Sequence, residues 1–496
     1  MNLADIQSNT SQWSLVVHKV SQTTVELWAG TLFGTLKKPQ HAKILVKQNN
    51  DLIKTIDITL DQWQRPFAQI KHQRFYVFTS VDGLQAGQNY QVEFYRQLDL
   101  PEYADQWQLL RDAVFSTLPN ALPTDAEGAF TIGLGSCFYE HRDGGQAAAS
   151  YKALYDRADK IWQPDISFLV GDQVYLDIGF DSLSPITKEI RQRVADDYAK
   201  HWQALGSILS RGGTWMLPDD HEYWNDYPFY DTFVPTLVML QVDYVRRAWT
   251  STAKDGVENV QRSAKVDIFS IGNDVSFCVA DLRSYRSKTQ FIDQQGFAQM
   301  IDWAEGLTSP GVLVIPQILV NGKNKVERNL LSFPSQYNRL LTALASSGND
   351  ILVLSGDVHY GRIAQVKLGD NGAKLIEVVS SPMSNLTGFN SIATDTAKSS
   401  PEYFPDPKSL NKPSLTPQKV DYSDNYNVKS RRGFPGSAYW KKRTREHFMT
   451  VSLSKDSQGV KLNVEAWRVR QRDSKTNLPV KDFDHSFIAT LNKKID

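Results

Sequence analysis

Two apolar runs in this chain each end in a Gly-Asp corner. Ile166–Val170 runs into Gly171-Asp172-Gln173-Val174-Tyr175, and Ile351–Ser355 runs into Gly356-Asp357-Val358-His359. A short apolar run bounded by glycine predicts a buried strand of a covered sheet. The glycine lets the backbone turn sharply. The aspartate that follows stands at the C-terminal end of its strand, the edge where layered α/β folds bind ligands. One such corner is ordinary turn chemistry. Two of them, each followed within a few positions by another ligand-type side chain, point to a sheet whose strand ends build a site.

Two further segments extend the set. Phe130–Leu134 leads to Gly135-Ser136-Cys137, and Thr214–Leu217 leads to Pro218-Asp219-Asp220-His221-Glu222-Tyr223-Trp224-Asn225-Asp226. Four strand ends therefore deliver Cys137, Asp172, Tyr175, Asn225, Asp357 and His359. This mixture of nitrogen, oxygen and sulfur donors suits metal ions. With nine histidines in the whole chain, a histidine-rich zinc cage is not on offer. A carboxylate can bridge two cations, an amide oxygen suits a hard cation, and a thiolate suits a softer or more strongly Lewis-acidic one.

The ordered set of Gly135-Ser-Cys137, the run from Gly171 to Asp177, the run from Asp219 to Asn225, Asp281-Leu-Arg-Ser-Tyr-Arg286 and Gly356-Asp-Val-His359 resembles the alkaline phosphatase D (PhoD-like) family. That family belongs to the calcineurin-like metallophosphoesterase superfamily. The likeness spans roughly residues 125–385. The usual opening Asp-x-His of the superfamily is replaced by a cysteine, and Tyr175 stands where a second aspartate is common. The resemblance implies an α/β (α+β) fold with two packed sheets flanked by helices (αββα). It implies ferric iron and calcium, with other divalent ions admissible in the second position. The implied reaction is hydrolysis of phosphate mono- or diesters by a metal-activated hydroxide.

Individual roles follow from chemistry and the resemblance together. Asp172 is the bridging candidate and Cys137 a thiolate ligand. A phenol of pKa about 10 is a poor ligand unless a strongly charged ion holds its anion, so Tyr175 favours a ferric centre over zinc. His359 can join through a ring nitrogen. Asp357 and Asn225 suit the second, harder ion. His221 can protonate the leaving alcohol, touch phosphate, or support its neighbours. Asp220 and Glu222 can orient neighbouring groups. Arg283 and Arg286 can clamp phosphate, or pair with acids at the surface. Asp177 reads as support for a ligand or as a loop cap. Cys278, in the middle of Val275–Val279, reads as core.

At 496 residues, a prior of about 150 per domain suggests two to four domains. Residues 1–122 alternate with period two between turn signals and read as a fibronectin- or immunoglobulin-like β-sandwich. Residues 123–496 read as the phosphatase domain. Ser184-Pro185 predicts a helix start, with Ile186, Ile190, Val194, Tyr198 and Trp202 on one apolar face. Further helices are expected near 236–250, 291–306 and 335–346. Residues 382–440 hold seven of the 21 prolines and read as a long loop insertion, either a cover over the site or a surface excursion. The strands at 447–453 and 460–467 are expected to complete the second sheet.

Lys plus Arg equals Asp plus Glu, 55 each, which argues against a dedicated nucleic-acid binder. A phosphate ester is the expected partner, no membrane is expected, and the oligomeric state is open. The first residues lack a basic start and an apolar stretch, and two cysteines do not make a disulfide framework, so a cytoplasmic location is expected. Two rivals remain at this level. One is a non-catalytic binding protein on a phosphatase scaffold. The other is a lyase or different hydrolase on the same frame.

Overall fold

The computed structural model describes residues 10–70, 74–98, 106–231, 235–322, 328–370, 372–386, 399–432, 442–455, 457 and 459–494. The period-two alternation of the N-terminal part becomes seven strands: β1 (Ser14–Val20), β2 (Val25–Thr31), β3 (His41–Gln48), β4 (Asp51–Thr59), β5 (Phe75–Val81), β6 (Asn89–Gln97) and β7 (Trp107–Ser116). They form a three-stranded sheet, β1-β2-β5, and a four-stranded sheet, β4-β3-β6-β7. All their pairings are antiparallel.

Strands then alternate with helices. β8 (Phe130–Gly135), β9 (Ile166–Val170) and β10 (Gly213–Leu217) are parallel neighbours. A second sheet has β11 (Val266–Ile271), β12 (Val275–Ala280), β13 (Gly311–Val314), β14 (Ile351–Ser355), β15 (Arg362–Lys367) and β16 (Lys374–Val379), with β12, β13, β14 and β16 parallel. Within the long proline-bearing segment, β17 (Tyr403–Phe404) pairs with β18 (Gln418–Lys419), and β19 (Asp421–Tyr422) adds to the edge of the second sheet at β15. Phe404, Leu410, Val420 and Val428 from this segment are buried, so its described part is packed chain. Residues 387–398 and 433–441 of the expected insertion lie outside the described residues.

β20 (Ser430–Arg432) and β21 (Lys442–Thr444) form a separate two-stranded ribbon. β22 (His447–Lys455), β23 (Val460–Arg472), β24 (Pro479–Lys481) and β25 (Phe487–Leu491) close the chain. Expected in the second sheet, these last strands instead complete the first: β22 pairs antiparallel with β8, and β23 with β22. The physical reason is that β8 has β9 on one side only and leaves its other edge for a partner.

The two large sheets pack face to face through Ile132, Phe168, Val170 and Leu217 from one, and Phe277, Val314, Leu352 and Ile376 from the other. Helices Gln146–Arg157, Thr187–Leu209 and Asp243–Gly256 cover the outside of the first. Helices Gln294–Glu305 and Pro334–Ser346 cover the second. This is the layered α/β arrangement expected from the sequence, and Cys278 is a core residue of the second outer layer. Among the described residues no helix is long and apolar enough to cross a membrane.

The helix expected from Ser184-Pro185 begins at Thr187. Ile186 therefore precedes it and is 53% exposed, whereas Ile190, Val194, Tyr198 and Trp202 are buried as the face requires. The helix expected over 236–250 is broken into Pro235–Leu240 and Asp243–Gly256. The latter runs into a π-helical turn, Val257–Gln261. The N-terminal strands grip this turn. Trp28 Nε1 donates to Asn259 O at 3.0 Å and Asn259 Nδ2 donates to Pro66 O at 2.9 Å. The guanidinium of Arg262 stacks 3.9 Å from the Phe78 ring.

Two glycines separate tight fit from open space. A Cβ at Gly356 would lie 2.3 Å from Ser136 Oγ and 2.8 Å from Val170 O, whereas one at Gly206, within Thr187–Leu209, meets nothing within 4 Å. Gly206→Ala is expected to stabilise by about 0.5–1 kcal/mol, because it removes backbone freedom from the unfolded chain. Gly356→Ala is expected to destabilise by roughly 1–3 kcal/mol. Denaturant midpoints of the two variants check both signs.

Candidate metal centre

Register brings the site together before any side chain is considered. Gly135 lies opposite Leu169, and Leu217 lies opposite Val170, so β8, β9 and β10 end level with one another. β14 arrives from the facing sheet, and the Cys137 Sγ lies 3.1 Å from the Asp357 carbonyl oxygen.

The backbone at this edge is strained. Cys137, Asp172, Asp357 and His359 have φ of 54°, 58°, 67° and 51°, in the left-handed region that L side chains avoid. Such conformations cost roughly 1–3 kcal/mol each and persist where surrounding contacts over-determine them. The contacts are present. The Cys137 N–H donates to Gly171 O at 3.1 Å and the Phe138 N–H donates to Asp172 O at 2.8 Å. The Asp357 N–H donates to Ser136 Oγ at 3.1 Å and the His359 N–H to Ser381 Oγ at 2.9 Å.

Two constellations share one carboxylate. On one side, Asp172 Oδ2 lies 3.5 Å from Cys137 Sγ and 3.4 Å from the Tyr175 hydroxyl, which is itself 3.5 Å from His359 Nε2. On the other, Asp172, Asp219, Asp220 and Asp357 bring ligand atoms within 4.8 Å of one another, as do Asp172, Asp220 and His221. Asp172 belongs to every grouping. Asn225 comes to the same edge through its backbone N–H, which donates to Asp177 Oδ2 at 2.7 Å. The other oxygen of Asp177 lies 2.7 Å from His221 Nδ1, so Asp177 orients the imidazole and ties down the Asn225 turn.

Glu222 holds the loops in place. It accepts from the N–H groups of Asp172 (3.0 Å), Gln173 (2.6 Å) and Asp219 (2.9 Å), and from Gln261 Nε2 (3.0 Å). The π turn gripped by the N-terminal strands thus ends on the carboxylate that fixes two metal-site loops. Burial pushes the Glu222 carboxyl up to about 7 against these bonds.

The charges explain what the site can hold. Cys137, Asp172, Asp219, Asp220 and Asp357 are all buried. Burial, then the Asp357 charge, pushes the Cys137 thiol up to about 12. Burial, then the neighbouring Cys137, raises Asp172 well above the carboxylate range. Burial also opposes charge on Asp220, but Arg283 and His221 outweigh it and hold that carboxyl low. Asp219 Oδ2 and Asp220 Oδ1 are buried without a hydrogen-bond partner. Buried anionic groups need a compensating cation. The thiol, phenol and imidazole gathered on one side of Asp172, and the carboxylates on the other, form a donor set that fits metal ions.

Neither arginine makes the surface ion pair that the sequence left open. Arg283 is fully buried, with Nε on Asp219 Oδ1 and Nη1 donating to Tyr227 O at 2.9 Å. Its Nη2 is buried without a partner. Arg286 is also buried; it donates to Gln317 Oε1 at 2.7 Å, and Gln317 Nε2 reaches Asp357 Oδ2 at 3.4 Å. Sequence reasoning gave no role to Asp219, although the doubled aspartate was a visible signal. It also gave no role to Ser136, which lies inside the Gly-Ser-Cys motif, or to Ser381 and Gln261.

A solved structure of PhoD aligns over 98% of this chain and 91% of its own, at a TM-score of 0.63 and 15% identity. At that identity the likeness establishes a PhoD-like fold. The multi-modular cell-surface chitinase ChiW from Paenibacillus sp. str. FPU-7 aligns over 70% of this chain and 27% of its own, at 10% identity and a TM-score of 0.16, too low to carry an argument. No protein-family model and no curated protein matches the sequence.

Asp281 offers a test of electrostatics beside the site. Its Oδ1 accepts from the N–H groups of Arg283 at 2.9 Å and Ser284 at 2.8 Å, and burial raises its carboxyl to about 6. The folded chain therefore keeps a proton that the unfolded chain releases near pH 4, and this contribution to stability is lost as pH rises through about 6. Asp281→Asn keeps an acceptor oxygen and cannot ionise. Its thermal midpoint is expected to gain on the wild type between about pH 4 and about pH 6, and the difference to level off above that. A difference that stays flat with pH contradicts the assignment.

Proposed function

We propose that this chain is a binuclear metal-dependent phosphoesterase acting on phosphate mono- or diesters. The observation that supports this reading most is Asp172, which belongs both to a thiol–phenol–imidazole set and to a carboxylate set. Cys137, Tyr175, His359 and Asp172 would hold ferric iron. Asp172, Asp357 and Asn225, with Asp220 beside them, would hold calcium. Bound there, the metals would supply an acidified water and neutralise phosphoryl charge.

The remaining chemistry belongs to the chain. Burial disfavours charge on His221, but Asp177, Asp172 and Asp220 outweigh it and raise its pKa well above the ordinary value. With Nδ1 held by Asp177, the imidazolium offers Nε2 as a proton donor to a leaving alcohol. Burial raises the Asp219 carboxyl and Arg283 works against that rise; the guanidinium has Nη2 left to direct at a phosphoryl oxygen. Both cysteines are buried and free, which suits a reducing compartment, so a cytoplasmic location belongs to the same proposal. So does the division at 122/123 into a β domain and a phosphatase domain.

Asp172→Ala is expected to remove nearly all turnover of a chromogenic phosphate ester, well beyond the roughly 10–100-fold cost of losing a supporting group. Substantial residual turnover overturns the bridging role. Tyr175→Phe keeps the ring against Tyr139 and His221. The purified wild type is expected to be coloured by phenolate-to-iron charge transfer, and this variant to lose the band and part of its iron. A colourless, iron-free and fully active wild type refutes the ferric assignment.

A further inference from the structure

The chain as a whole is neutral, but one corner of it is not. Arg142, Arg445, Arg468 and Arg470 line a single pocket, together with Glu446 and Gln471. They arrive from three places. Arg142 lies in the short helical turn after Cys137, Arg445 precedes β22, and Arg468 and Arg470 belong to β23. Their side chains keep between 20% and 35% of their surface exposed. Like charges gathered in this way repel one another.

The fold answers half of that charge. Glu446 accepts from Arg142 Nε at 3.0 Å and from Arg470 Nε. Asp482, which is buried, accepts from Arg445 Nη1 at 2.8 Å and from Arg468 Nε at 2.6 Å. Four guanidinium groups less two carboxylates leave two positive charges. Asp143, which also feels the Arg470 charge, pairs with none of the four. Its carboxylate accepts from the Ala147 N–H at 3.0 Å, and burial pushes that carboxyl up to about 6.

The donors outnumber their partners as well. Each guanidinium carries five N–H groups in a fixed fork. Among the described residues, Arg142 spends only Nε on a partner and Arg445 only Nη1, and the Arg445 Nε is buried with none. A buried donor without an acceptor is costly. The cavity is about 60 Å³, the scale of one small oxyanion, with no room inside for an esterified group. The lining also holds one acceptor. Glu446 Oε2 takes Arg470 Nε alone, so a lone pair remains for a P–O–H group. Hydrogen phosphate has such a proton to donate, whereas sulfate has none.

We propose that this arginine pocket binds inorganic phosphate as the hydrogen phosphate dianion. Its two negative charges match the two left over, the guanidinium forks match its oxygens, and Glu446 accepts its proton. The pocket is joined to the metal-site loops through consecutive residues. The Ser384 N–H donates to the Cys137 carbonyl at 3.1 Å, and the next N–H, of Asn385, donates to Glu446 Oε1 at 3.0 Å. Phosphate is also what a phosphomonoesterase releases. That origin for the ion rests on the proposed function, and the binding itself does not.

Calorimetric titration of the full chain with inorganic phosphate is the test. The measurements are made in Asp172→Ala, where the metal centre is disabled, and phosphate is expected to bind there still. Adding Gln471→Glu lowers the pocket by one charge and keeps an acceptor for Arg468 Nη1, which donates to Gln471 Oε1 at 2.7 Å. Stability is expected to be equal or higher, with phosphate binding weakened roughly tenfold. Adding Arg468→Gln and Arg470→Gln instead leaves each acid one guanidinium and is expected to abolish binding. A purely structural cluster predicts no phosphate binding in any of these proteins. Binding that is absent from Asp172→Ala, or indifferent to the pocket variants, overturns the proposal, as does sulfate bound as tightly as phosphate. Glycerol 1-phosphate separates the free ion from a monoester, and tighter binding of the ester overturns the assignment to the free ion. Phosphate binding in a chain whose wild type turns over no ester refutes the phosphoesterase reading and leaves the pocket standing. Turnover without this binding does the reverse.

Discussion

Four carboxyl groups and a thiol are buried together at the ends of four strands, and the molecule is organised around that confinement. Cys137, Asp172, Asp219, Asp220 and Asp357 are all buried, with Arg283, Arg286 and His221 as the nearby positive partners. Burial and mutual proximity both oppose negative charge on such a cluster in a low-dielectric interior. The strained backbone at Cys137, Asp172, Asp357 and His359 adds a further cost. Both costs are held by the same device, a rim of backbone N–H groups and serine hydroxyls anchored on the two mixed sheets. A cation placed among the groups relieves the repulsion, and the rim fixes the positions of its ligands.

Glu222 shows how far that rim extends. Its carboxylate collects donors from the loop after β9 and from its own loop after β10, and Gln261 braces it from behind. Gln261 ends a π turn, a form of helix that is rare and often found beside functional sites. Trp28, Pro66 and Phe78 of the N-terminal part contact this turn. The N-terminal sheets are thereby joined mechanically to the metal-site loops.

Much of this was legible in the sequence because strand ends announce themselves. An apolar run followed by Gly-Asp specifies both a buried strand and an emergent side chain, so Asp172 and Asp357 could be placed without coordinates. The layered α/β class followed from strands alternating with amphipathic helices such as Ile190–Trp202. What stayed hidden was long-range pairing. Nothing local in His447–Leu453 says that it joins β8 in preference to the facing sheet. Gln261 was invisible for the same reason, since its partner Glu222 lies 39 positions away. The start at Thr187 shows a smaller limit: a serine–proline signal marks the neighbourhood of a helix end and leaves the boundary two or three residues loose.

The pairing of β8 with β22 has a bearing on how the molecule is made. Thr131 meets Ser452 across 321 positions, and Ser136 is fastened to Ser380 across 244. Contacts between such distant segments form slowly, because a long loop must close before they gain anything. During synthesis the Cys137 loop emerges long before Ser381 and the strand that pairs with β8. Until then its thiol lacks the burial and the Ser381 contact that define it in the finished protein. The cluster at the strand ends therefore takes shape only after the ribosome has delivered nearly the whole chain.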